Sequence, residues 1–197
     1  MEINQSKLGG RLPLLDPETL EGDQKRLYDL LNATLISWAE ASGFKGKTQD
    51  GKLIGPFNPN LHSPGITPGF LQLLQAESKN TSLDKRTREV VILSVVAVWK
   101  SPYALYAHSA IARNLGVPEN AIRELVTGRE SERLSPKERV AHRFARQLVR
   151  EFRVEADFYR DAESTFGRSG LVEMLYLIGI YLLTAAVLNA FEIPAPE

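Results

Sequence analysis

Residues 84–116 read DKRTREVVILSVVAVWKSPYALYAHSAIARNLG. The β-branched run Val90–Val98 would suit a strand, but its charged lead-in and its total length favour a helix with a buried continuation. Pro102 follows an N-cap residue, Ser101, and starts a second helix. The stretch therefore predicts two helices, at about 84–99 and 102–115, that fold back on each other as a hairpin.

The same punctuation of an N-cap residue followed by proline recurs along the chain, at Asp16-Pro17, Thr67-Pro68 and Ser135-Pro136. Ser135 and Glu138 also have the spacing of a capping box. Together with the apolar periodicity, these signals predict an all-α protein of about seven or eight helices. The remaining helices are expected at about 17–42, 68–79, 118–127, 136–152, 155–166 and 170–191.

With 197 residues, the chain is long enough for one substantial core, and we expect a single domain over 1–197 with an N-terminal helix. Its longest irregular stretch is predicted at about 43–67, rich in Gly and Pro, and loops of this length are often functional. Residues 45–52 read as mobile surface. Residues 55–64 read as an ordered wall with apolar Phe57 and Leu61.

Charge and cysteine content exclude several functions. Lys plus Arg and Asp plus Glu number 24 each, so nothing favours nucleic acid or an anionic membrane as a partner. The absence of cysteine removes disulfides, thiolate nucleophiles and thiolate metal sites. Residues 1–10 lack the apolar run of a secretory signal, so we expect a cytoplasmic protein.

The segment Met174–Phe191 carries no charge and approaches the length of a membrane span. Thr184 and Asn189 interrupt it, Glu173 precedes it directly, and no Lys or Arg closes it. We therefore interpret it as a buried core helix or a subunit-contact helix.

Glu89 and His108 stand at similar depths on the two sides of the predicted hairpin. At a rise of about 1.5 Å per residue they lie roughly 15 Å and roughly 10 Å from the break, so their side chains can face each other. A carboxylate beside an imidazole fixes its tautomer and prepares the pair for proton transfer. The alternatives are a solvated Glu89 paired with Lys85 or Arg86, and a satisfied core histidine.

Six further residues are candidates for substrate binding. An aromatic cluster spans the helix break, and the long loop adds an aromatic, an amide and an imidazole group. For the cluster, core packing is the alternative, and for His62 a turn or surface role would suffice. The candidates are Phe57, Asn58, His62, Trp99, Tyr103 and Tyr106.

Metal binding is not expected. The three histidines, at positions 62, 108 and 142, have no His-x-x-x-His or Glu-x-x-His spacing. No phosphate-binding glycine loop or dinucleotide fingerprint occurs either, so no cofactor is expected. We place His142, in a charged helix, on the surface.

The spacing Glu89-x18-His108, with Trp99 and Tyr103 between and Ala112 and Gly116 after, resembles the core motif of the carboxymuconolactone decarboxylase and alkylhydroperoxidase-D (AhpD) superfamily. The thiol-dependent branch has cysteines seven and four residues before that histidine. Ser101 and Ala104 stand there in this chain. The resemblance extends to residues 11–13, 55–64 and 189–194 and is closest to the cysteine-free, decarboxylase-like branch.

The resemblance implies a cofactor-free lyase that decarboxylates or isomerises a small carboxylated lactone or related acid of aromatic catabolism. His108 would donate or shuttle the proton, Glu89 would orient it, and Tyr103 or His62 would donate to a substrate oxygen. It also implies a homotrimer or homohexamer. The alternative is a non-catalytic oligomeric binding protein of the same fold, while thiol peroxidase activity is disfavoured by the missing cysteines.

Overall fold

The computed structural model describes residues 5–196 of the chain. Residues 1–4 and 197, which the single-domain prediction includes, lie outside the described residues. The all-α prediction is confirmed, since extended pairing in the described part is limited to one antiparallel bridge between Lys47 and Leu53. After a 3-10 turn, Gln5–Gly9, the α-helices are α1 Gly22–Leu31, α2 Ser37–Ala41, α3 Phe57–His62, α4 Thr67–Asn80, α5 Lys85–Trp99, α6 Pro102–Asn114, α7 Glu119–Val126, α8 Pro136–Glu151 and α9 Ala156–Ala190.

Helix α5 is the centre of the fold, because α6, α7, α8 and α9 all pack against it. Residues 89–97 are buried without interruption, which explains why the sequence here is apolar on every side. Asp84 caps the helix by accepting a hydrogen bond from the backbone N–H of Thr87 at 2.9 Å. The β-branched residues therefore form a core helix, as the charged lead-in predicted.

The predicted hairpin between α5 and α6 is present. Lys100 adopts the left-handed conformation at φ 52°, and the N–H of Ser101 donates to the carbonyl of Val96 at 3.1 Å. Asn189 of α9 donates from Nδ2 to the carbonyl of Trp99 at 2.6 Å. The turn is thus fixed by a side chain from the far end of the sequence.

Helix α9 confirms the two predicted helices at 155–166 and 170–191, since Gly167 breaks it at φ 68° and ψ 170°. By length and composition α9 could cross a membrane, but the core helix of a soluble protein meets the same criterion. Met174, Leu177 and Ile178 are buried within the molecule. The other face exposes large apolar side chains, namely Val172, Leu175, Tyr176 and Leu183.

The N-terminal helix predicted at 17–42 was wrong in its first turn, whereas residues 22–41 are helical throughout. Asp16 accepts from the N–H of Glu18 through its side chain and from Thr19 through its carbonyl, so it closes a turn instead of capping a helix. The helix starts at Gly22, and a π-helical turn over Asn32–Ile36 separates α1 from α2. Such turns are common near functional sites.

The loop predicted at 43–67 is only partly irregular, because it contains the short helix α3. Asn58, fully buried, accepts from the N–H of Leu15 at 3.1 Å and donates to the carbonyl of Pro13 at 3.1 Å. These two bonds tie the N-terminal segment onto α3. The ordered wall expected at 55–64 is therefore the helix α3, with the N-terminal segment 13–15 bound across it.

The surface position predicted for His142 is wrong. The side chain lies in the core between α8 and α5, where Nδ1–H donates to Ser94 Oγ at 2.7 Å and Ser94 donates to the Val90 carbonyl at 2.5 Å. The error arose because charged neighbours hide the inward face of an amphipathic helix. Burial, with a smaller contribution from the positive Arg146, lowers the pKa of His142 from 6.5 to about 4.

His142 should make the protein sensitive to acid. Between pH 6.5 and about 4 the unfolded chain holds a proton on this imidazole and the native state does not, so the free energy of unfolding falls as the pH drops through that window. At about 1.4 kcal/mol per pKa unit, the loss reaches about 3 kcal/mol.

Urea denaturation at pH 7.5 and 4.5 measures this effect against the variant His142→Leu, in which Ser94 keeps its bond to Val90. The variant should lose about 3 kcal/mol less than the wild type over the same interval. An equal loss in both proteins would contradict the assignment to His142.

Candidate active site

Glu89 and His108 face each other, as the hairpin geometry predicted. Nδ1 of His108 on α6 donates to Oε2 of Glu89 on α5 at 2.8 Å, and both side chains are buried. Because Nδ1 is taken by the carboxylate, Nε2 is the ring nitrogen that can exchange a proton with a ligand. Glu89 is therefore not the solvated glutamate of the alternative interpretation, because its carboxylate is buried and bound to His108.

A cavity of about 550 Å³ opens onto this dyad. It is enclosed by α1 and the π-turn on one side and by α3, α4, α5, α6 and α9 on the others. Most of its lining is apolar, and it includes six aromatic side chains. These are Trp38, Phe44, Phe57, Phe70, Tyr103 and Tyr181.

Tyr181 of α9 lies directly against the imidazole. The two rings meet edge to face at 87°, with their centroids 4.8 Å apart. Burial, and secondarily the charge of Glu89, raises the pKa of Tyr181, so the phenol stays protonated. Its hydroxyl makes no hydrogen bond to another described residue, which leaves it available to donate to a ligand.

Arg88 lines the cavity and forms a second charged pair with Glu77, which lies outside the lining. Arg88 donates from Nε to Glu77 Oε1 at 3.2 Å and from Nη2 to Oε2, a two-point contact in which the carboxylate is almost fully buried. The charge of Arg88 is therefore compensated within the protein. Its Nη1 has no partner among the described residues.

Two of the six candidate binding residues, Phe57 and Tyr103, line the cavity. The Tyr103 hydroxyl, however, donates to the carbonyl of Lys45 at 2.6 Å, and the same ring packs on Tyr106 at 5.9 Å between centroids. Burial raises the pKa of Tyr103 above its ordinary value. Tyr103 therefore forms a wall of the cavity, with its hydroxyl already committed.

Four predicted binding residues lie outside the cavity lining. His62 is half-buried with Nε2 at 3.1 Å from the Pro13 carbonyl, and Asn58 donates to the same carbonyl. Tyr106 accepts from the Lys45 N–H at 3.0 Å, and the partly exposed Trp99 is the last residue of α5. Asn58, His62 and Tyr106 thus form hydrogen bonds with the protein's own backbone, and Trp99 is partly exposed to solvent. Proximity to the dyad in the sequence could not reveal these surroundings.

The two positions of the missing cysteines differ in their surroundings. Ala104 lines the cavity, whereas Ser101 is fully buried outside the lining with no hydrogen-bond partner for Oγ. The hydrogen-bonded Glu89–His108 pair is therefore present in a site where neither residue 101 nor residue 104 carries a sulfur atom.

Sequence reasoning missed Tyr181 and Arg88. Tyr181 lies in the apolar run of α9 and was interpreted only as part of that run. A tyrosine in a buried helix does indicate a polar contact, because buried hydroxyl groups usually have a hydrogen-bond partner. Arg88 stood beside Glu89 in what looked like a charged lead-in. Within residues 5–196, no three His, Asp or Glu side chains are grouped closely enough to hold a metal ion.

The fold and the site together define an all-α protein of the AhpD-like fold, with a buried Glu–His dyad at the end of an apolar cavity. The model of the carboxymuconolactone decarboxylase family matches residues 64–147, which contain both members of the dyad. The resemblance predicted from the sequence is thereby confirmed. No curated protein matches this sequence.

Solved structures share the fold at low identity. An AhpD-core, peroxidase-related protein from Ralstonia eutropha JMP134 is 16% identical, with a TM-score of 0.72 over 95% of this chain and 92% of that chain. A peroxidase-related protein from Silicibacter sp. TM1040 is 19% identical, with a TM-score of 0.68 over 99% and 96%. A debrominase in complex with 2,3,4-tribromopyrrole is 14% identical, with a TM-score of 0.68 over 85% and 86%.

Proposed function

We propose that this protein is a cofactor-free lyase or isomerase that moves a proton at a carbon atom of a lactone or related carboxylic acid. The observation that carries the proposal is the 2.8 Å bond between His108 Nδ1 and Glu89 Oε2 beside an apolar cavity. A carboxylate-oriented imidazole, shielded from bulk water, is an effective acid and base near neutral pH.

In the decarboxylating reaction, the bond between the substrate carbon and its carboxylate breaks and CO₂ leaves. The electron pair passes into the conjugated lactone carbonyl as an enolate. The step requires His108 as the imidazolium, with Nδ1–H on Glu89 and a second proton on Nε2. Nε2–H donates its proton to the carbon and leaves the neutral imidazole, and a proton from solvent restores the imidazolium. In the isomerising reaction, Nε2 removes a proton from one carbon and returns it to another.

Tyr181 takes the role of oxygen donor that the sequence assigned to Tyr103 or His62. Its protonated hydroxyl is unoccupied and its ring touches His108, whereas the hydroxyl of Tyr103 and the ring nitrogen of His62 are bound to backbone carbonyls. A donor placed where enolate charge develops stabilises the transition state. The non-thiol dyad gives no support to thiol peroxidase chemistry.

The alternative is a binding protein that uses the cavity without turnover. The experiment is a thermal-shift screen of carboxylated lactones and enol-lactones, followed by product analysis of every ligand that binds. Formation of CO₂ or of an isomer from any of them supports the lyase or isomerase. Binding without conversion across the whole panel favours the binding protein.

We also propose a homotrimer or homohexamer. The exposed apolar residues Val172, Tyr176 and Leu183 recur along one face of α9, and a stripe of this kind is usually covered by another subunit. Sedimentation at micromolar concentration should give at least three times the 22.0 kDa chain mass. A monomer would refute this, and a cytoplasmic location stays a prediction.

A further inference from the structure

We infer that the substrate carries at most one carboxylate and an apolar body larger than a single ring. This inference rests on the proposed function, because it names the substrate class of the same site. It is carried by the charges and by the size of the cavity, and it narrows the sequence-based expectation of a small carboxylated lactone.

The size of the cavity exceeds what a monocyclic lactone fills. At about 30 Å³ for one water molecule in the liquid, a volume of about 550 Å³ corresponds to roughly 18 non-hydrogen atoms. A six-membered lactone with one carboxylate has about half of that number. Since unfilled apolar volume gives up dispersion contacts, a larger body binds better.

The charges that line the cavity leave room for one anion. Arg88 is paired with Glu77, and Glu89 faces His108, so Lys79 is the cation of the lining without an ion pair in the described residues. Lys79, Arg88 and Glu89 line the cavity, and Glu77 compensates Arg88 from outside the lining, so these four charges sum to zero. Protonation of His108 adds a single positive charge. A second carboxylate would therefore enter without a counter-charge, which is costly in an apolar site.

The mouth of the cavity has an apolar side and a polar side. Leu30 and Trp38 form the apolar side and are 52% and 46% exposed, whereas the exposed lining residues of α4 are Gln75, Ser78 and Lys79. Leu30 and Trp38 flank the π-turn that separates α1 from α2. An entrance with one apolar side and one cation, Lys79, suits a ligand with a hydrophobic body and a single carboxylate.

Binding of four probes, measured by isothermal titration calorimetry on the full chain, tests the inference without any need for turnover. The probes are 2-naphthoate, benzoate, naphthalene-2,6-dicarboxylate and 2-naphthol. We expect 2-naphthoate to bind at least about tenfold more tightly than benzoate, because the second ring buries several more carbon atoms. It should also bind at least about tenfold more tightly than the dicarboxylate, while 2-naphthol binds measurably.

The two tryptophans of the chain report where the probe binds. Trp38 lines the cavity mouth and Trp99 does not. Titration with 2-naphthoate should change the tryptophan fluorescence of the variant Trp99→Phe as it does in the wild type. In Trp38→Phe, whose remaining tryptophan lies outside the cavity lining, most of that change should disappear.

The outcomes separate this inference from the proposed function. Equal or tighter binding of benzoate or of the dicarboxylate would overturn the inference, as would a fluorescence change retained in Trp38→Phe and lost in Trp99→Phe. Turnover of a small dicarboxylated lactone together with that result would leave the lyase proposal standing. The expected binding order without turnover of any lactone would support the substrate class and count against the lyase.

Discussion

Replacing His108 by alanine should lower kcat by about 10²- to 10⁴-fold on any lactone that the wild type converts, the range typical of a lost general acid or base. The substitution removes the only imidazole that lines the cavity in the described part of the chain. KM should change much less than kcat, because the apolar walls that hold the substrate remain. Steady-state kinetics on purified protein measures both constants.

Glu89→Gln should give a smaller loss of kcat, since the amide oxygen can still accept from Nδ1 while the negative charge is gone. His62→Ala is the matched control, because that imidazole binds the Pro13 carbonyl outside the cavity, and it should keep kcat within about twofold. Full activity of both His108→Ala and Glu89→Gln would remove the dyad from the mechanism.

Gly55→Ala should be among the most destabilising single substitutions in the chain. A Cβ at this position would overlap the ring of Tyr103, and φ is +62°, a conformation that alanine adopts at a cost. Because the Tyr103 ring is buried and its hydroxyl is tied to Lys45, neither side can move easily. We expect a loss of about 3 kcal/mol or more in the free energy of unfolding, measured by urea denaturation.

Gly65→Ala is the matched control, since it lies in the same loop with nothing within 4 Å of a Cβ. That substitution should change the free energy of unfolding by less than about 0.5 kcal/mol. Similar losses for the two variants would show that the close packing of residue 55 on Tyr103 does not hold the loop in place.

The fold was predictable where local chemistry and periodicity agree. The capping box predicted at Ser135 and Glu138 is present with both of its bonds. Asp16 precedes a proline as Ser135 does, yet it closes a turn. The N-cap signature therefore identifies a side chain that accepts a hydrogen bond from a backbone N–H group a few residues later. Tertiary contacts decide whether a helix or only a turn follows.

The candidate site was predictable in its centre and less so at its edge. The spacing of Glu89 and His108 about a helix break fixes how far each lies from the turn of the hairpin. Because the two distances are similar, the sequence alone predicts that their side chains can face each other. Tyr181 reaches His108 from about 70 residues away, and no local pattern encodes that contact. Trp99 and Tyr106 are close to the dyad in sequence, but the turn and the helix face direct them away from the cavity.

Proton transfer to carbon by the dyad is the central claim, and hydrogen isotope incorporation tests it most directly. A lactone identified in the binding screen is incubated with the protein in D₂O, and the product is analysed by mass spectrometry and NMR. For a decarboxylated product we expect one deuterium at the carbon that lost CO₂, with incorporation greatly slowed in His108→Ala. For an isomer, His108 returns the proton that it removed, so the loss of rate in His108→Ala is the measurement. A decarboxylated product formed in D₂O without deuterium, or either product formed at an unchanged rate in His108→Ala, would contradict the claim.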